Sequence, residues 1–224
     1  MGGHVEFPNG AGAAGGYLAT PIDGGAGPAL IVLGPMLGLG ANITSVCDRF
    51  AAEGFTALAP EVVAGGGTDQ DRVVGVNLPV AIDGLRAAVG FLEEHPMVHG
   101  KGVGLAGFEA GARLALALAA RASDDIKALV LVDGAVLDDE ASADWAGSSA
   151  PAECHFALDD ADVTKAAVDA VVAAAKERHV AIEAFTYQGA APGFFDDTRP
   201  EVFDADAAHE AFIRSLSFLR AHLG

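Results

Sequence analysis

Short apolar runs recur along the chain, separated by longer segments in which apolar residues return every three or four positions. A continuous run of about four to eight apolar residues, bounded by glycine or proline, predicts a strand buried on both faces. Residues 29–33 are such a run, and shorter or interrupted apolar segments predict six further strands, at residues 16–20, 55–59, 103–106, 126–132, 153–158 and 180–187.

In the segments between these runs, apolar residues recur every three or four positions, the spacing of an α-helix that buries one face. Their apolar positions are Ile43, Val46, Cys47, Phe50 and Ala51; Ile82, Leu85, Val89 and Leu92; residues 112–120 except Arg113; Val168, Val171, Val172 and Ala175; and Phe212, Leu216 and Leu219. Asp162 or Thr164 is a candidate N-cap for the fourth helix. Residues 64–78 and 188–204 are predicted as loops, and the small, acidic stretch 134–150 predicts no element. Alternating strands and helices of these lengths predict a single α/β domain over residues 1–224, with a mostly parallel sheet covered on both faces.

The most informative motif joins the strand at 103–106 to the helix at 112–120. The connection reads Gly-Phe-Glu-Ala-Gly over residues 107–111. A strand, a sharp turn flanked by small residues and an apolar helix form the layout of a nucleophile elbow in an α/β-hydrolase fold. The central position of such a turn normally carries Ser or Cys, and here it carries Glu109.

Together with three other stretches, this elbow makes the chain similar to the dienelactone hydrolase family. The stretches are residues 33–38, 51–60 and 187–200, the last continued by 203–208. The resemblance covers nearly the whole chain. It implies an α/β-hydrolase fold, hydrolysis of lactones or esters of small carboxylic acids, a Cys-His-Asp triad and no cofactor.

Taken position by position, the resemblance implies a degenerate triad. Glu109 replaces the nucleophilic cysteine and Pro192 replaces the histidine, while Asp160 keeps the triad aspartate. The family's His-Glu pair after the early strand is replaced by Gly34–Pro35, and its substrate-binding arginine by Asp196. Among the seven histidines, His155 is the one on a predicted strand, where a buried core role is favoured over that of a base.

The fold also implies where the pocket lies. The backbone N–H groups of Met36 and Ala110 are expected to form the oxyanion hole. One alternative is that the Glu109 carboxylate bonds to these N–H groups itself and is stabilised by the helix dipole. The other residues expected around the pocket are Pro35, Leu37, Phe108, Phe194 and Asp196.

Because Pro192 cannot activate water, the sequence favours a non-catalytic or weakly active relative that binds a small ester, lactone or carboxylate. Three alternatives stay open. One is an active hydrolase with altered chemistry around Glu109 and Asp160, since carboxylates can act as nucleophiles. Another is a metal site built from these carboxylates with Asp196 and Asp197. The last is an interaction protein whose pocket is filled by the side chains of Met36, Leu37, Phe108 and Phe194.

Charge and composition restrict the partners. The formal net charge of −18 would repel nucleic acid and an anionic membrane surface. No apolar run reaches the roughly 20 residues that span a bilayer, and the N-terminus does not have the pattern of a secretory signal. The two cysteines, Cys47 and Cys154, do not make a disulfide framework. These features predict a cytoplasmic protein.

Overall fold

In the computed structural model, which describes residues 2–10, 12–35, 38–61, 77–122, 124–134, 139–158, 163–177 and 179–224, eight strands form one sheet. In chain order the strands are β1 (Gly3–Asn9), β2 (Gly12–Ala19), β3 (Gly27–Leu33), β4 (Thr56–Pro60), β5 (Val98–Phe108), β6 (Ile126–Val132), β7 (Ala152–Ala157) and β8 (Ile182–Tyr187). Their order across the sheet is β1-β2-β4-β3-β5-β6-β7-β8. The pairs β1–β2 and β2–β4 are antiparallel, and the other five pairs are parallel. The predicted α/β-hydrolase fold with a mostly parallel sheet is confirmed.

Helices cover both faces of this sheet. They are α1 (Ala41–Ala52), α2 (Leu78–Glu93), α3 (Ala110–Ala119), α4 (Asp139–Gly147), α5 (Lys165–Glu177) and α6 (Ala205–Leu223). One buried cluster joins the sheet to α2, α3 and α5, and the other joins it to α1 and α6. Among the helices of the described residues, none is both long and apolar enough to cross a membrane.

The five predicted helices are all present, and their predicted apolar positions face the two clusters. On α1, for example, the buried residues are Ile43, Val46, Cys47, Phe50 and Ala51. Of the two candidate caps for α5, Thr164 accepts a hydrogen bond from the N–H of Ala167 at 3.1 Å, whereas Asp162 lies outside the described residues. Most of the predicted loop at 64–78 also lies outside them.

Two elements differ from the sequence prediction. Residues 3–9 form β1, a strand at the edge of the sheet. Phe7 is its one buried residue, so the sequence shows no apolar run there that would predict a strand. Residues 139–147, within the stretch that predicted no element, form α4. Among its described side chains, this helix buries Ala141, Asp144 and Trp145. Only two of these are apolar, which is too few to produce a visible helical period.

The strand register aligns the carboxyl ends of three central strands. Leu33 at the end of β3 pairs with Gly107, and Phe108 at the end of β5 pairs with Val132 at the end of β6. The loops after β3, β5 and β6 therefore leave the sheet at the same edge, which is where open α/β sheets place their ligands.

Candidate functional site

The elbow is built by the backbone. Glu109 follows β5 directly and has φ 52° and ψ −116°, a conformation that costs a residue with a side chain about 1–3 kcal/mol. A Cβ at Gly107 would collide with the backbone of Ala112, and one at Gly111 would collide with the carbonyl of Leu33. The turn between strand and helix therefore depends on glycine at these two positions, and it places the side chain of Glu109 at the carboxyl edge of the sheet.

The carboxylate of Glu109 is held by an arginine. Oε1 of Glu109 accepts a hydrogen bond from Nη2 of Arg199, and the Nε of Arg199 donates to Oδ2 of Asp196 at 2.9 Å. Asp196 also accepts from the N–H of Thr198 at 3.0 Å and from its hydroxyl at 2.6 Å. One guanidinium thus bridges two carboxylates from different parts of the chain.

The charges in this bridge stabilise one another. Partial burial alone would raise the pKa of Asp196, but the hydrogen bonds from Thr198 and Arg199 outweigh it and lower this pKa. Burial alone would lower the pKa of Arg199, but the negative charges of Glu109 and Asp196 raise it. Asp196 and Arg199 therefore both stay charged at neutral pH.

A narrow cavity lies beside Glu109 and Asp196. Its volume is about 10 Å³, close to the space of a single water molecule. Apolar side chains form most of its wall, and three carboxylate residues, Glu109, Asp133 and Asp196, reach it. Among the described residues that line it, none is a histidine. The lining residues are Asn42, Ile43, Val46, Phe108, Glu109, Val132, Asp133, Gly193, Phe195 and Asp196.

The predicted site residues divide into three groups. Glu109, Phe108 and Asp196 line the cavity, and Ala110 is the first residue of α3 beside it. Pro35, Pro192 and Phe194 do not line the cavity, and Pro192 is exposed on the late loop next to Gly193. The remaining three, Met36, Leu37 and Asp160, lie outside the described residues.

Phe194 and Phe195 have different surroundings. Phe194 is fully buried, and its ring lies 5.1 Å from that of Tyr187, so it belongs to the core. Phe195 lines the cavity, with its ring 4.9 Å from that of Phe108. The sequence prediction named Phe194 for the pocket wall, and the neighbouring phenylalanine occupies that wall.

The side chain of Glu109 makes no capping hydrogen bond to the start of α3, and its carboxylate contacts Arg199. The N–H of Met36, the other donor expected for this carboxylate, lies outside the described residues.

Sequence reasoning missed two residues of the site. Arg199 lies three residues after Asp196, in a loop whose conformation alone brings it to the elbow. Asp133 directly follows β6, has φ 46°, and accepts hydrogen bonds at 2.9 Å from the N–H groups of Ala157 and Gly193. A carboxylate directly after a buried strand at the carboxyl edge was the signal that could have identified Asp133.

His155 lies in the core instead of at the cavity. It is completely buried on β7, with Nε2 at 2.9 Å from Oε1 of Glu153 and Nδ1 at 2.8 Å from the hydroxyl of Tyr187. The hydroxyl of Ser215 on α6 lies 3.2 Å from Nε2. These contacts satisfy both ring nitrogens, as expected of a structural histidine.

Within the described part of the chain, no group of three or more His, Cys, Asp or Glu residues is placed to hold a metal ion. At the elbow, the positive charge between Glu109 and Asp196 is supplied by Arg199.

Comparison with known proteins decides the family. Residues 14–223 match the family model described as "Dienelactone hydrolase family". The chain belongs to the dienelactone hydrolase family.

Family relatives match over the full length of the chain. "Protein usf" of Aquifex pyrophilus is 30% identical over 234 residues, covering 100% of both chains. The protein named "Putative carboxymethylenebutenolidase" of Aquifex aeolicus (strain VF5) is 27% identical over 234 residues, again covering 100% of both. The crystal structure named "Putative Dienelactone Hydrolase" of Klebsiella pneumoniae subsp. pneumoniae MGH 78578 superposes with a TM-score of 0.89 at 20% identity, covering 99% of each chain. The structural match shows that the fold is shared.

Proposed function

We propose that this member of the dienelactone hydrolase family is a small-molecule-binding protein that hydrolyses esters and lactones weakly or not at all. The observation that supports this most directly is the ion pair between Glu109 and Arg199 at the nucleophile position. A carboxylate whose charge is neutralised by a guanidinium is a weaker nucleophile, and any ester formed on it would need a base to activate water. The exposed Pro192 has no proton-transfer group.

The ligand class follows from the family and the site together. The mainly apolar walls and the charged rim match the chemistry of a small ester, a lactone or a carboxylate, and such a ligand would require the cavity of about 10 Å³ to widen. Neither nucleic acid nor an anionic membrane suits a chain with a net charge of −18. We also infer that the chain acts as a single domain in the cytoplasm, where two unpaired, buried cysteines are usual.

A second candidate is hydrolysis through Glu109 itself, including the lactone chemistry suggested by the name of the Aquifex aeolicus relative. One observation favours it. Glu109 keeps a strained backbone conformation, and strain of this kind concentrates at functional sites. An interaction protein with a filled pocket is also compatible with the small cavity volume, so ligand binding must be tested directly.

The test measures hydrolysis and binding on the same purified proteins. Wild type, Glu109→Ala and the control Glu94→Ala, which changes an exposed residue at the end of α2, are assayed with an aryl acetate and a panel of small lactones. We expect background hydrolysis in all three proteins. We also expect a higher melting temperature of wild type with at least one lactone or carboxylate, since a ligand of the folded state stabilises it.

Two results would contradict the proposal. Turnover by wild type that is lost in Glu109→Ala but kept in Glu94→Ala would make Glu109 the nucleophile. No stabilisation by any ligand, together with no turnover, would favour the filled-pocket interaction protein.

A further inference from the structure

Arg199 connects two carboxylates that line the elbow cavity, Glu109 and Asp196, and these come from separate parts of the chain. It lies 90 residues from Glu109 in sequence and three from Asp196. Its contact with Asp196 is internal to the late loop, whereas its contact with Glu109 crosses from that loop to the elbow. The contact with Glu109 can therefore break while the contact with Asp196 remains.

The loop that carries Arg199 is fixed independently of this ion pair. The carboxylate of Asp133 accepts a hydrogen bond from the N–H of Gly193 at 2.9 Å, and Phe194 is fully buried against Tyr187. The backbone of the loop can stay where it is while the side chain of Arg199 moves.

Gly193 provides the space in which the guanidinium lies. Its φ of +85° is one that residues with a side chain rarely adopt, and a Cβ there would collide with the guanidinium of Arg199. Gly193 also lines the cavity. The guanidinium therefore lies beside three residues that line the cavity, Gly193, Glu109 and Asp196, and the cavity has room for about one water molecule.

The ion pair is exposed enough to open. The side chains of Arg199 and Glu109 keep 37% and 32% of their surface accessible. An ion pair with this much exposure shifts an equilibrium by only about two- to fivefold, and salt weakens it further.

We propose that the Glu109–Arg199 ion pair is a latch that closes the cavity and controls entry of the small molecule. This inference rests on the proposed binding function for its biological meaning, but the latch itself can be measured without any ligand. In the closed state Arg199 bridges Glu109 and Asp196. In the open state Arg199 keeps Asp196, releases Glu109 and exposes the apolar wall.

The experiment places a thiol on that wall. Val46 lines the cavity and is 4% exposed, so a Val46→Cys variant is labelled by neutral methyl methanethiosulfonate only when the cavity opens. Wild type supplies the background, because Cys47 and Cys154 are buried. The labelling rate is compared between Val46→Cys alone and Val46→Cys combined with Arg199→Gln.

The matched control combines Val46→Cys with Arg220→Gln. Arg220 forms another surface ion pair, with Glu53 at 2.7 Å, and neither residue lines the cavity. Glu109→Gln is a second way to open the latch, and it leaves Arg199 on Asp196. If Arg199→Gln lowers the melting temperature, the labelling rate of the Glu109→Gln variant decides the test instead.

We expect Arg199→Gln and Glu109→Gln each to accelerate labelling of the thiol introduced at position 46 by about two- to fivefold, and Arg220→Gln to leave it unchanged. Raising the salt concentration to about 1 M should accelerate labelling only where the latch is intact. Equal rates with and without the latch, or the same acceleration by Arg220→Gln, would overturn the proposal. Latch-dependent labelling in a protein that no lactone or carboxylate stabilises would leave the latch in place and contradict the binding function instead.

Discussion

Glu109 and Glu153 each lie beside a basic side chain, but their surroundings differ. The Glu109–Arg199 pair is about one-third exposed at the edge of the sheet. Glu153 and His155 are 4% and 0% exposed beneath α6, with Oε1 and Nε2 2.9 Å apart. Burial, more than the residue types in the pair, therefore decides whether an ion pair is a fixed part of the core or can break in the folded protein. A buried polar group without its partner loses its full solvation, whereas an exposed one exchanges its partner for water.

The largest effect is expected from removing the buried carboxylate. Glu153→Ala removes the nearer partner of the buried His155 Nε2, to which only the Ser215 hydroxyl at 3.2 Å would remain, and should lower the free energy of unfolding by about 3 kcal/mol. Urea denaturation measures this loss. Glu109→Ala is the matched control and should cost less than about 1 kcal/mol. Similar losses in the two variants would remove the distinction between the sites.

Because the elbow is partly exposed, its residues can be replaced by a nucleophile and a base without unfolding the protein. Glu109→Cys combined with Pro192→His places the family's nucleophile and base at the positions implied by the resemblance. We expect hydrolysis of p-nitrophenyl acetate about a hundredfold above wild type, because a positioned base contributes at least that much. Glu109→Ala with Pro192→His has the base without the nucleophile and should stay at background. A double variant no faster than this control would mean that the late loop does not bring residue 192 to the elbow.

Relief of the backbone strain at Glu109 should raise the free energy of unfolding by a smaller amount. At position 109, where φ is 52°, glycine should be more stable than alanine by about 1–2 kcal/mol, as measured by urea denaturation. At Glu94, which ends α2 with φ −93°, we expect glycine to be no more stable than alanine. A Glu109→Gly variant that is less stable than Glu109→Ala would show that the turn is not strained.

The effect confined to the narrowest range of conditions is the loss of stability of the buried Tyr187–His155 cluster at alkaline pH. Burial raises the pKa of Tyr187 from 10.0 to about 12, against the opposing charge of Arg214. The folded state therefore keeps the Tyr187 proton longer than the unfolded state does. The resulting stability is complete below pH 10 and is lost as the pH rises to about 12. Urea denaturation at a series of pH values should show this decline in wild type and a weaker one in Tyr187→Phe. An equal decline in both would assign it to other groups.

Most of the fold could be predicted because buried strands and amphipathic helices leave periodic patterns. Seven of the eight strands and five of the six helices in the described part of the chain were predicted in this way. The elements β1 and α4 were missed because, among their described side chains, each buries only one large apolar side chain, Phe7 in β1 and Trp145 in α4. The backbone geometry of the elbow also followed from the glycines at 107 and 111.

The contacts within the site were much harder to predict. Arg199 reaches Glu109 only because the late loop folds back through Asp133 and Gly193, and loop conformation leaves no period in the sequence. For the same reason, the sequence could not distinguish Phe194, which faces the core, from Phe195, which faces the cavity.

The two glycines of the elbow have an evolutionary consequence. Because Gly107 and Gly111 shape the turn through close backbone approach, its form does not depend on which side chain residue 109 carries. Substitutions at this position can therefore change reactivity while leaving foldability almost untouched. A lineage can lose or regain a nucleophile in few mutational steps, with the protein remaining folded at each one.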